Sequence, residues 1–91
     1  MERWLRCKVL PGMFSHEWLV VIEEPGQGEI TSIFVDTTLV RTQGEPRRND
    51  PVAGELRVWA STRGERSNVR LPVQSAEHGW VVSVPSEMLV G

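Results

Sequence analysis

Glycine and proline punctuate this chain from end to end, and the stretches between them alternate. In Gly54-Glu55-Leu56-Arg57-Val58-Trp59-Ala60, the residues Leu56, Val58 and Ala60 fall on one side and Glu55, Arg57 and Trp59 on the other. A two-residue period places successive side chains on opposite faces of a strand, with the apolar set turned to a core. No segment sustains a 3.6-residue pattern, so the chain is expected to be all-β.

Read in this way, the first strand runs from Trp4 to Leu10, with Leu5, Cys7 and Val9 inward, and Pro11-Gly12 ends it. The second, Glu17 to Glu23, is apolar on both faces, which predicts a central strand covered on both sides. Glu24-Pro25-Gly26-Gln27-Gly28 has the composition of a hairpin turn, and Ile30 to Asp36 follows as the third strand. After a tight corner at Asp36-Thr37-Thr38, Leu39 to Thr42 reads as a short fourth strand. Gln43 to Pro51 reads as an exposed polar loop.

Val52 to Ala60, Asn68 to Val73 and Trp80 to Val84 complete the set, with a helical turn predicted at Ser86 to Leu89. Pro72 lacks a ladder donor and predicts a sheet edge. No internal repeat is evident. About six to seven short strands at this spacing, with at most one helical turn, predict a small antiparallel barrel. SH3-like and OB-like architectures both fit that description.

Ninety-one residues, 40% of them apolar, predict a single small domain spanning residues 1–91. The longest apolar run, Trp18 to Ile22, falls far short of the ~20 residues that cross a bilayer, so no membrane association is expected. The N-terminal residues lack a signal-peptide layout, and the only cysteine has no disulfide partner; both features predict a cytoplasmic setting. The net charge of −2 conceals a polarity: residues 1–40 sum to −3, and residues 41–70, with seven arginines, to +3.

Catalytic and cofactor signatures find no support. Gly26-Gln27-Gly28 precedes a strand rather than a helix, so no ring of helix N-terminal amides would hold a phosphate. His16, His78, Cys7, Glu17 and Glu77 are scattered singly, without the spacing of a metal site. Cys7 lies on the predicted core face, where a thiol acts as an apolar filler. No catalytic residue, metal or cofactor is therefore predicted, and the chain is read as non-enzymatic.

The tryptophans carry more information. Trp18 and Trp80 share rows with Val20/Ile22 and Val82/Val84, and are expected in the core. Trp4 and Trp59 share rows with charged residues and are expected on the surface, unless loops or arginine stems cover them. Trp4, Trp59 and Arg57 are thus the candidate partner-binding residues of a protein-interaction module, engaging another protein or a second copy. The alternative is a nucleic-acid binder using Arg47, Arg48, Arg63, Arg66 and Arg70, against which stands the acidic pI of about 5.6.

Overall fold

Alternating apolar residues place eight strands around one core. The computed structural model describes residues 1–91: β1 (Glu2–Pro11), β2 (Glu17–Glu24), β3 (Gly28–Asp36), β4 (Val40–Thr42), β5 (Val52–Arg63), β6 (Arg66–Ser75), β7 (Gly79–Pro85) and β8 (Leu89–Val90). Single 3₁₀ turns at Thr37–Leu39 and Ser86–Met88 lead into β4 and β8. The β2–β3 turn uses the conformational freedom predicted for it, with φ of 78° at Gly26 and 98° at Gly28. No helix is long and apolar enough to cross a membrane.

The sheet runs β3-β2-β1-β5-β6-β7, antiparallel at every pairing, with β4 added to β5 and β8 to β1. Its curl brings β3 against β6, making a nearly closed barrel. The end strands β3 and β7 do not pair, and side chains bridge the gap. Thr31 Oγ1 donates to Glu77 Oε2 at 3.0 Å, and His78 Nε2 lies 3.1 Å from the Ile30 carbonyl oxygen. Toward the other end, Arg66 forks onto both carboxylate oxygens of Glu24 and also bonds Ser83.

The register reveals a pseudo-two-fold axis through the paired residues Leu5 and Leu56. The pair Val9↔Val20 of the first half recurs as Ala60↔Val69, and Val20↔Ile33 as Val69↔Val82. Val40 on Leu56 recurs as Leu89 on Leu5, so each half lays its last short strand on the first strand of the other. The core obeys the same symmetry: Ile22 matches Leu71, Ile33 matches Val82 and Val35 matches Val84, all buried. Leu5 and Leu56 are both 0% exposed, and such burial contributes roughly 1.5–3 kcal/mol per side chain.

Gly54 is where this interlock is tightest. It pairs with Cys7 of β1 and Thr42 of β4. A Cβ there would lie 2.6 Å from Val9 Cγ2 and 2.8 Å from the Arg41 carbonyl oxygen.

The all-β small barrel expected from sequence is the fold observed, with several corrections. There are eight strands rather than six or seven, because β8 is only two residues long, and two helical turns rather than one. The outer residues of β2, Leu19 and Val21, are half-buried, so that strand is not fully covered. Pro72 lies where β6 has no ladder partner, a local edge as expected: pairing with β5 ends at Arg70, and the register with β7 shifts between Arg70 and Ser75. The polar loop 43–51 is exposed except for Pro46. The pseudo-two-fold is a structural repeat that the sequence pattern did not reveal.

Candidate docking surface

On β5 the inward residues Leu56, Val58 and Ala60 are buried, which turns Glu55, Arg57 and Trp59 outward. Trp59 is 59% exposed. Its cross-strand neighbours are Glu2 on β1 and Arg70 on β6, and Arg70 in turn faces Val81 on β7. The result is one lateral row, Glu2–Trp59–Arg70–Val81, across four strands of the outer face. Beside it, Arg57 Nη2 donates to Glu2 Oε2 at 2.7 Å. That hydrogen bond, together with the charge of Glu2, holds the Arg57 guanidinium above its ordinary pKa.

Trp80 was expected in the core with Val82 and Val84; the structure overturns this. The register shift on β6 around Pro72 takes the start of β7 out of its ladder, and Trp80 stands 43% exposed. The Arg70 guanidinium carbon lies 5.2 Å from the centre of its ring, within cation–π range. Arg70 meets no carboxylate. Trp59 and Trp80 line one open groove of about 500 Å³, with Leu39, Leu71 and Pro72 as apolar floor and Arg57, Arg70 and Glu2 as polar border.

The other tryptophans are less open. Trp4 is half-buried, its ring capped by the Arg41 guanidinium 3.8 Å from the centroid, and Arg41 Nη2 also pairs with Glu55 at 2.6 Å. Trp18, expected in the core, is half-buried rather than buried. Of the candidate site residues, then, the structure brings Trp59 and Arg57 together and sets Trp4 under an arginine.

The arginines proposed for nucleic acid fall in separate places. Arg47 and Arg48 lie in the exposed loop, Arg63 and Arg66 flank the β5–β6 turn, and Arg70 belongs to the groove. Arg66 is already engaged by Glu24, whose carboxyl the guanidinium holds below its ordinary pKa by hydrogen bonding.

A second hollow, of about 510 Å³, opens beside Cys7 between Arg6, Lys8, Glu23, Glu24 and Glu87. Its charges are largely spent on each other, since Lys8 pairs with Glu23 at 2.7 Å and Glu24 with Arg66. Cys7 is a poor nucleophile. Burial first, and the nearby charge of Glu55 second, push its thiol up to about 12, so it stays protonated. No three His, Cys, Asp or Glu side chains come close enough to share a metal ion.

Sequence reasoning missed Trp80, Leu39 and Pro72 as groove residues. The available signal was Pro72 itself, since a proline in an inner strand forces a break in the ladder. Comparison with protein-family models, with curated proteins and with solved structures finds no match for this chain.

Proposed function

We propose that this protein is a non-enzymatic interaction module that docks an apolar, acid-bordered surface of another protein chain into the Trp59–Trp80 groove. One observation carries the reading: two tryptophans stand open on the same groove, flanked by arginines. Removing a large apolar side chain from water is worth roughly 1.5–3 kcal/mol, and aromatic anchors ringed by arginine dominate many interfaces. Arg70, lacking a carboxylate of its own, favours a partner that supplies one. The single cysteine, kept as a thiol, suits a reducing cytoplasmic setting.

The test is affinity capture from nuclease-treated lysate, comparing wild type with Trp59→Ala and Trp80→Ala. A protein retained by wild type and lost in both variants, with no more than a several-fold weakening on added salt, supports the reading. Recovery that requires intact nucleic acid and collapses with salt refutes it in favour of nucleic-acid binding through the arginines of residues 41–70.

A further inference from the structure

Apart from Met1, the exposed large apolar side chains fall in two groups. Trp59 and Trp80 line the groove just described, with Val81 in the lateral row of Trp59; Met13, Phe14 and Phe34 lie elsewhere. Phe34 ends a second lateral row on the outer face, in which Leu10 on β1 pairs with Leu19 on β2, and Leu19 with Phe34 on β3. Met13 and Phe14 occupy the β1–β2 connection at the same end of the sheet.

The pseudo-two-fold supplies an internal control. The residues equivalent to Leu10, Leu19 and Phe34 are Ser61, Asn68 and Ser83, all exposed and polar. The same sheet geometry is therefore built without apolar residues there, so the first half does not need them for folding. An apolar row on the outer face, half-buried at Leu10 and Leu19 and exposed at Phe34, that the fold does not require marks a contact surface.

We infer that a second copy of this chain covers that face: the Trp59 groove of one copy receives the Phe34 row of the next, head to tail. The inference rests on the reading of the groove as a docking surface, and charge and position argue for it. Glu17 and Asp36 pair directly beside the Phe34 row, on the same outer face, in a segment of net charge −3. On the groove, Glu2 already holds Arg57, and Arg70 is the border cation left without a carboxylate. Opposite charges thus frame the two apolar surfaces, whereas a like-to-like dimer through the Phe34 row would set Glu17 and Asp36 against their own copies.

The two faces also lie far apart. Leu10 and Glu2 mark them at opposite ends of β1, and eight residues at ~3.3 Å per residue separate them by roughly 26 Å. The molecule is 36 Å long. An interface joining two different faces is heterologous, and it builds a ring or an open chain rather than a closed pair.

Light scattering on the purified full chain over a concentration series tests this. Wild type is expected to rise above the 10.3 kDa monomer as concentration increases, and added salt is expected to shift that rise several-fold to higher concentration. Phe34→Ser and Trp59→Lys each install the residue type of the equivalent position in the other half, Ser83 and Lys8. Each variant alone should be monomeric, with a native circular dichroism spectrum. Mixed in equal amounts, they should form a dimer and nothing larger, because each retains the face that the other has lost.

A monomeric wild type overturns the inference, as does a mixture that stays monomeric. Association lost in Trp59→Lys but kept in Phe34→Ser also overturns it, while leaving the groove standing as a docking surface for another protein. Association kept in Trp59→Lys overturns it too, because the copies then meet away from the groove.

Discussion

Gly54→Ala is predicted to destabilise the barrel by closing the one place where three strands meet without room for a methyl group. The added Cβ would sit 2.6 Å from Val9 Cγ2 and 2.8 Å from the Arg41 carbonyl oxygen. Val9 is 0% exposed and has nowhere to turn, and the Arg41 oxygen is backbone held in the β4–β5 ladder. Forcing a methyl into such packing costs about 1–3 kcal/mol. The lower chain entropy of alanine in the unfolded state returns about 0.4–1 kcal/mol, so the net loss is about 1–2 kcal/mol. A domain of this size has roughly 5–14 kcal/mol of stability in all, and loses about 4–8 °C in Tm per kcal/mol. Thermal unfolding followed by far-UV circular dichroism should therefore show a fall of about 4–16 °C. Gly44→Ala is the control: nothing lies within 4 Å of a Cβ there, and it should be neutral or slightly stabilising. Equal melting temperatures for the two variants would refute the argument that β1, β4 and β5 converge too closely for a side chain.

Cys7 should react with a thiol reagent at pH 8 far more slowly in the native protein than in urea, since its thiol is held near 12 against an ordinary 9.0. Because the folded value is the higher one, stability is fully present below pH 9 and declines toward pH 12; Cys7→Ala should remove that decline, and rapid native labelling would contradict the burial. Glu24 and Asp36 are shifted the other way, by hydrogen bonds from Arg66 and from the Thr38 backbone and hydroxyl respectively. Their contributions are present above the ordinary carboxylate range and lost as pH falls through the depressed values. Glu24→Gln should accordingly flatten the acid limb of urea midpoints measured from pH 7 to pH 2; an unchanged limb argues against the Arg66 link. Trp59→Ala should change stability by no more than about 0.5 kcal/mol in urea unfolding, whereas a loss of roughly 3–5 kcal/mol would mean that the ring is core.

What could be read from the sequence was what neighbouring residues decide between themselves. The alternation of Leu56, Val58 and Ala60 with Glu55, Arg57 and Trp59 is local, and it placed both faces of β5 correctly. Trp80 has the same local signature, but its position depends on where the opposite strand leaves its ladder, eight residues earlier at Pro72. Trp4 is covered by Arg41, a residue brought beside it only because β4 adds to β5. The pseudo-two-fold escaped notice because the core asks only for apolar volume, so that Ile22 can stand for Leu71 and Val40 for Leu89. On the outer face nothing ties the halves together, and half-buried Leu19 stands where its counterpart is the exposed Asn68. The groove was half visible for the same reason: Trp59 lies in a regular strand, and its companions were delivered by irregular backbone.

The exchange of closing strands has a consequence for how the molecule comes apart. Neither half carries the piece that seals its own first strand; β4 is lodged on β5 and β8 on β1, with β1 and β5 laced to each other between them. Peeling either half away breaks all three ladders together, so partial opening at this junction offers no intermediate resting place. Covalent continuity there matters far less. The halves are joined only through the exposed segment around the Arg47–Asp50 turn, and a chain severed at that point would still be two strands deep in its partner on either side.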